Sequence, residues 1–286
     1  MKRLKDSNLR LLLISVAILA ALFGLSVLGR NLYRAHYARQ QVWPERNSAD
    51  YKLIAINPAD AQETRYLVDP QDIEAAVQLL NESHGPWELN PLYNWHSNVA
   101  LHFYKKDQAV PSDYAVISFP ENIIITHYTK HSGGFSADPA LESALAALYE
   151  KALSSRLPAL TADQIERAAF VRYRHGLLQE TIPVEEADFP AICEALSQLP
   201  EHTQPPEKNS VLHTTRLELQ LYLKDCGLSF VFSLSQQFKG SLYLGTTAFR
   251  SSEIDSTFSL QNNYLLPEGY DPFAELGFPV ETQSAP

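Results

Sequence analysis

A seven-residue stretch that occurs twice constrains the fold of this chain more than any other feature of its sequence. Residues 101–107 read LHFYKKD, and residues 219–225, which lie 118 positions later, read LQLYLKD. Each copy follows an extended segment, an amphipathic helix pattern and a loop, and each precedes two further strand patterns. A shared order of elements around a shared strand predicts a duplicated module of the α+β class.

The alternation of apolar residues identifies both copies as central strands. The strand pattern that contains the first copy directs one set of apolar side chains to one face of a sheet, and these are Val99, Leu101 and Phe103. The strand pattern that contains the second copy has leucine at every other position, at Leu217, Leu219, Leu221 and Leu223. We therefore expect each module to be an antiparallel sheet with a helix packed on one face. The Lys-Asp pair that ends each copy is explained by the turn that follows it, without any catalytic role.

An apolar run near the N-terminus predicts a membrane anchor. Residues 11–29, LLLISVAILAALFGLSVLG, are 19 uncharged residues in succession. A helix of this length, at about 1.5 Å per residue, nearly matches the roughly 30 Å hydrocarbon core of a bilayer. The alternative is a cleaved signal peptide, but its apolar region is usually about 7–15 residues long and ends in an A-x-A site, which this run lacks. We expect an uncleaved anchor in the membrane through residues 11–29.

Basic residues flank the apolar run on both sides, so the positive-inside rule favours a cytoplasmic N-terminus only slightly. A short tail before the anchor and a large acidic region after it are typical of bacterial envelope proteins whose domain lies outside the cytoplasm. The predicted segments are a cytoplasmic tail at 1–10, a transmembrane helix at 11–29, a juxtamembrane helix and linker at 30–50, a first module at 51–156, a second module at 157–280 and a disordered tail at 281–286.

The charge of the chain disfavours one class of partner. Its formal net charge is -10, and residues 1–30 hold five basic residues against one acidic residue, which leaves a net charge of -14 on the rest. An acidic domain repels phosphate backbones, so nucleic-acid binding is not expected. The two cysteines, Cys193 and Cys226, are too few for a disulfide framework.

The segment between the helix and the central strand differs between the two copies. Residues 84–98 read HGPWELNPLYNWHSN, whereas the corresponding residues 200–215 contain no Phe, Trp or Tyr. Large aromatic side chains on a long loop are typical of binding surfaces. The alternative is that these rings fill the seam between the modules or cap a sheet edge. We predict that the loop binds an envelope protein or a ligand through Trp87, Tyr93, Trp95 and His96.

The familiar catalytic motifs are absent from the sequence. It contains no G-x-S-x-G, H-E-x-x-H, Walker or G-x-G-x-x-G motif. His127 and His131 are four residues apart, but on a strand that runs into a loop this spacing does not place both rings on one face. An envelope hydrolase or metal-dependent enzyme that uses these two histidines is the alternative. The favoured interpretation is a non-enzymatic, membrane-anchored binding or regulatory protein that needs no cofactor or metal.

Overall fold

The chain begins with one long helix. The structure, a computed structural model, describes residues 2–59, 63–89, 98–108, 110–119, 121–126, 133–174, 177–202, 215–236, 242–249, 262–274 and 276–279. Helix α1 spans Lys2–Ala38, so the predicted juxtamembrane helix continues the apolar one without a break. Its part Leu12–Ala38 is long and apolar enough to cross a bilayer, and its most apolar stretch is not buried in the protein. This helix suggests membrane anchoring, although a signal sequence has the same properties.

The first half of the described chain forms an eight-stranded antiparallel sheet. Its strands are β1 (Tyr51–Pro58), β2 (Arg65–Leu67), β3 (His84–Leu89), β4 (Asn98–Lys105), β5 (Asp113–Ser118), β6 (Ile123–Thr126), β7 (Gly133–Ala137) and β8 (Leu153–Ser154). Their order in space is β3-β7-β6-β5-β4-β1-β2-β8, which makes β3 and β8 the edge strands. Helix α2 (Pro70–Glu82) precedes β3 in the chain, and helix α3 (Leu141–Lys151) precedes β8.

The second half forms a six-stranded antiparallel sheet, so the prediction of an α+β fold is confirmed. Its strands are β9 (Ile165–Arg174), β10 (Leu177–Val184), β11 (Thr215–Leu223), β12 (Ser229–Gln236), β13 (Leu242–Phe249) and β14 (Asn262–Leu265), in the order β10-β9-β11-β12-β13-β14. Helix α4 (Phe189–His202) lies between β10 and β11, and residues 186–188 form a turn of 3-10 helix directly before it. The predicted tail at 281–286 lies outside the described residues.

The two sheets share one connectivity. In the first sheet β1 pairs with β2 and with β4, and β4 continues to β5 and β6. In the second sheet β9 pairs with β10 and with β11, and β11 continues to β12 and β13. The recurring stretch forms the end of β4 in one half and the end of β11 in the other. Strand β7 pairs with β6 as β14 pairs with β13, so these two strands also occupy equivalent positions. Strands β3 and β8 and helix α3 have no counterpart among the described elements of the second half.

The start of helix α2 is explained by the residues around it in sequence. The Asp69 side chain accepts a hydrogen bond from the backbone N–H of Gln71 (2.8 Å), and Pro70 occupies the first helical position, where its missing N–H costs nothing. Ile73 and Leu80 belong to the buried stripe with which the helix covers the first sheet.

Helices cover one face of the first sheet, as predicted, and part of its second face is buried as well, at β1, β2 and the end of β4. Leu101 and Phe103 of β4 pack in a core together with α2 and α3. Leu53 of β1 and Tyr104 of β4, each 1% exposed, belong instead to the core of the second half. The two halves therefore share one hydrophobic core, in which Leu219 of β11 is fully buried.

Residues 43–50, called the strap below, connect α1 to β1 and are docked on the first sheet. Trp43 stacks on the ring of His84 with 4.2 Å between ring centroids, and its indole N–H donates to Oδ1 of Asn81 (3.1 Å). Nε of Arg46 donates to Oδ2 of Asp113 at 2.7 Å, and both side chains are buried. Trp43 and Arg46 of the strap are therefore buried, whereas most of its other residues are exposed. The strap is a docked connection at the position of the predicted linker.

Candidate functional site

The turns that end the two recurring strands line a single cleft between the halves. The cleft has a volume of about 660 Å³, a size that suits a small-molecule ligand. The first half contributes the end of the strap, the start of β1, the first turn of α2 and the turn after β4 at Lys106. The second half contributes the turn after β11, with Lys224, Asp225 and Cys226. The cleft is thus built from both copies of the recurring stretch.

Three lysines from separate segments line this cleft. Nζ of Lys52 donates to the backbone carbonyl of Lys106 (3.4 Å), and a methyl group placed on Gly227 would lie 3.4 Å from the same Nζ atom. Lys52 therefore reaches across the seam to the turn that carries Lys224. The backbone N–H of Lys106 donates to the carbonyl of Asp50 (3.1 Å), which fixes this turn to the strap. None of the three lysines forms a salt bridge with an acidic residue that the structure describes.

The same cleft contains two exposed carboxylates, on Glu74 and Asp225. Asp225 adopts a left-handed backbone conformation (φ 58°), which Asp tolerates better than most residues, and Gly227 follows with φ 66°. These two residues close the tight turn between β11 and β12 and hold the Lys224 and Asp225 side chains at the cleft. Among the residues that line the cleft, three lysines stand against two carboxylates, in a chain whose net charge is -10. The Lys224 ammonium also interacts with Asp163, which lies outside the lining. Hydrogen bonds of Asp163 contribute most to the lowered pKa of that carboxyl, and the Lys224 ammonium contributes to the same shift.

Cys226 also lines the cleft but is suited to packing, not to nucleophilic chemistry. Its side chain is 4% exposed and packs in the shared core. Burial raises the pKa of the Cys226 thiol, and the nearby Lys52 ammonium only partly opposes this effect. Because the thiolate is the reactive form of cysteine, a neutral buried thiol is inert. Cys193 and Cys226 are both free cysteines.

This arrangement can bind an anion. Ammonium groups donate charge-assisted hydrogen bonds to phosphate or carboxylate oxygens, and three lysines line one cleft. The first turn of α2 lies in the same wall at Pro70, where the helix dipole adds partial positive charge. The carboxylates of Glu74 and Asp225 can accept hydrogen bonds from hydroxyl or amino groups of the same ligand.

Trp87, one of the predicted binding residues, lies in strand β3 and is 6% exposed. It pairs with Phe135 of β7, and a side chain at Gly133 would collide with its ring. The prediction of a loop over residues 84–98 is therefore wrong for residues 84–89, which pair with β7 as an edge strand. The position of Trp87 corresponds to the alternative in which the ring caps a sheet edge.

The other predicted site residues lie outside the described part of the chain. These residues are Tyr93, Trp95 and His96 of the predicted binding loop and His127 and His131 of the alternative metal site. The binding and metal predictions for these five side chains stay predictions. Within the described residues, no group of three His, Cys, Asp or Glu side chains is placed to hold a metal ion.

The sequence contained a signal for the cleft, but its interpretation was incomplete. Lys106 and Lys224 recur in register, and the turn after each strand is a sufficient explanation when each copy is considered by itself. The fold adds the information that the two turns face one cleft and that Lys52 lies between them. The site is created by packing between distant segments of the chain. The pattern of residues within each segment does not specify this packing.

Comparison with known proteins identifies no relative of this chain. No protein-family model matches the chain, and no curated protein or solved structure matches it.

Proposed function

We propose that this chain is a membrane-anchored, extracytoplasmic binding protein of the bacterial envelope that holds a small organic anion in the cleft between its two halves. One observation carries the proposal: Lys52, Lys106 and Lys224, from three separate segments of the chain, line one cleft of about 660 Å³. The ligand class is a phosphate or carboxylate that also carries hydrogen-bond donors, because Glu74 and Asp225 line the same cleft. Its role is recognition without chemistry.

We also propose that the two halves are tandem copies of one module. The support is the shared connectivity of β1, β2, β4, β5 and β6 with β9, β10, β11, β12 and β13. In this view the cleft arose where equivalent turns of the two copies came together, at Lys106 and Lys224. A site at the seam of a duplicated fold requires both copies, which gives a physical reason for their retention in one chain.

The direct test of the cleft is isothermal titration calorimetry of the full chain in detergent, with citrate and with pyrophosphate as polyanionic probes. We expect saturable binding of at least one probe that weakens as salt is added. Replacing Lys52, Lys106 or Lys224 by Ala should weaken binding about twofold to fivefold each, since these ammonium groups are partly solvated.

The matched control for the titration is Lys105→Ala. This change removes the same charge one position away from Lys106, from a side chain that does not line the cleft. The control should bind like the unmodified chain. No saturable binding of either probe, or equal losses for Lys105→Ala and Lys106→Ala, would contradict the proposal.

The predicted orientation has its own test. A reporter enzyme that is active only outside the cytoplasm can be fused after Pro286 of the full chain. We expect activity from this fusion and none from a second reporter that is active only in the cytoplasm. The reverse result would contradict the extracytoplasmic location while leaving the binding test above unaffected.

A further inference from the structure

A second cavity lies between the end of the N-terminal helix and the edge of the first sheet. Its volume is about 470 Å³. Four residues of α1 line it on one side, and two residues of the edge strand β3 line it on the other: Asn31, Arg34, Ala35, Ala38, Trp87 and Glu88. The proposed anion cleft shares none of these residues. The helix that forms one wall is the candidate membrane span itself.

The position of this cavity along α1 corresponds to the headgroup layer of a bilayer. The apolar run ends at residue 29, and the lining residues of α1 begin at Asn31 and end at Ala38. At about 1.5 Å per residue they lie roughly 3 to 14 Å beyond the last apolar residue. The headgroup region extends roughly 5 to 8 Å beyond the hydrocarbon core on each side, so the cavity opens at its height.

The lining groups carry charges of both signs. Arg34 and Glu88 are both exposed, and no salt bridge joins them. The Trp87 ring supplies a packed wall: its indole N–H is buried, and the same edge of the ring lies against Gly133 of β7. The cavity thus offers a cation and an anion within one space, beside an aromatic wall.

We propose that this cavity binds the headgroup of a zwitterionic phospholipid that carries a primary ammonium group, as phosphatidylethanolamine does. Arg34 binds the phosphate, and Glu88 accepts hydrogen bonds from the ammonium group. A free inorganic anion can pair with Arg34 but is repelled by the Glu88 carboxylate. A zwitterion can pair with both side chains. The assignment rests on the membrane anchoring proposed above.

Competition between two lipids on the full chain tests the site. Phosphatidylethanolamine and phosphatidylcholine with identical acyl chains are added in equal amounts to the chain in mild detergent, and native mass spectrometry counts the lipids bound. We expect phosphatidylethanolamine to be retained about twofold to fivefold more, because the trimethylammonium group of phosphatidylcholine has no N–H to donate. Glu88→Gln should remove this preference, and Arg34→Ala should reduce retention of both lipids.

Arg39→Ala is the matched control, since it removes an equal charge from the same region without altering the lining of the cavity. It should retain lipid like the unmodified chain. Equal retention of the two lipids by the unmodified chain, or equal losses for Arg39→Ala and Arg34→Ala, would overturn the proposal. Displacement of the lipid by soluble glycerophosphoethanolamine in large excess would overturn the assignment to a lipid in favour of a free headgroup compound.

Alkaline extraction of membranes separates failure of this site from failure of the anchor. A chain that stays in the membrane at high pH but shows no lipid preference contradicts the headgroup site alone. A chain that is released by the alkaline wash contradicts the anchoring, and the headgroup site with it.

Discussion

Glu218 is a buried carboxylate in a row of polar residues along β11. It is 4% exposed; Nε of Arg216 lies 2.9 Å from Oε1, and Nε2 of Gln220 donates to Oε2 at 2.9 Å. The Arg216 guanidinium lies over the ring of Tyr173, 4.4 Å from its centroid. Ser233, directly across the strand pair, is fully buried, and its hydroxyl has no hydrogen-bond partner among the described residues. Burial raises the pKa of the Glu218 carboxyl, and the interactions with Arg216 and Gln220 only partly oppose this effect.

This raised pKa predicts a pH-dependent contribution to stability. The folded state holds the Glu218 proton more tightly than the unfolded state, whose pKa is close to the ordinary value of 4.5. The contribution of the protonated Glu218 carboxyl to the free energy of unfolding is therefore complete below pH 4.5. It is lost as the pH rises through the folded-state pKa of Glu218. Glu218→Gln should be stabilised relative to the unmodified chain as the pH rises, by about 1.4 kcal/mol for each unit of pKa difference.

The measurement is denaturant unfolding of both full chains in detergent over a range of pH, and the quantity of interest is the difference between their free energies of unfolding. Glu166→Gln, which changes an exposed carboxylate on β9, should show no such growth with pH. A difference that stays constant with pH for Glu218→Gln would contradict the prediction.

The alternation of apolar residues in the sequence correctly predicts that one face of β11 is buried, but it does not predict the burial of the other face. It correctly places Leu219 and its leucine neighbours in the core. The same alternation directs Glu218 to the opposite face, which is ordinarily solvated in an antiparallel sheet. In the structure that face is buried as well, since Val231 and Ser233 are at most 1% exposed. Period-two alternation shows which residues share a face, whereas whether a face is covered depends on segments elsewhere in the chain.

Among the elements, the strap is the connection between the N-terminal helix α1 and the first sheet. Its Arg46 also lies over the ring of Phe103, 4.9 Å from the centroid, and its backbone carbonyl accepts a hydrogen bond from the Asn81 amide (2.8 Å). Residues 48–49 of the strap line the proposed anion cleft. Helix α1, the core of the first half and the cleft are therefore joined by one docked segment.

The Arg46–Asp113 ion pair is expected to hold the strap in place. Removing one partner leaves the other charge buried without compensation, so Arg46→Ala and Asp113→Ala should each cost about 3–5 kcal/mol of stability. The double variant should lose less than the sum of the two, because the orphaned charge is then absent. Denaturant unfolding of the full chain in detergent measures all three differences.

The control is Glu45→Ala, at an exposed strap position, which should cost less than about 0.5 kcal/mol. Strict additivity of the two buried changes would contradict the role of the pair.

The sequence could not have predicted the docked strap. Residues 45–50, ERNSAD, have the composition of a linker, and a charged side chain such as Arg46 is rarely buried without a partner. The partner, Asp113, is 67 residues away in sequence. The start of α2 was predictable because a helix cap depends on neighbours in sequence, whereas the burial of a charge depends on a contact across the fold.

For the molecule as a whole, the halves that the sequence separates at residue 157 share a core. The order of strands and helices follows from local pattern, and most of it was predicted. The packing of the two sheets against each other was not predicted, because nothing in the sequence of β1 indicates that its second face contacts the other half. Leu53 and Ala55 on that face pack with residues of the second half. The anion cleft lies at the same seam, so its shape depends on this packing.

The shared core predicts that the two halves unfold together. Leu53 is 1% exposed in the core of the second half, so Leu53→Ala should cost about 2–5 kcal/mol through lost burial and the cavity it leaves. Because the lost contacts belong to both halves, amide hydrogen exchange should become faster in β4 and in β11. The free energy of the opening that permits exchange should fall by the same amount in both strands. Amide exchange of the full chain in detergent, followed by mass spectrometry, measures both strands at once. Glu142→Ala, at an exposed position of α3, should leave both unchanged. Faster exchange in β4 alone would show that the halves are separate cooperative units, and the seam that forms the cleft would then open independently of either sheet.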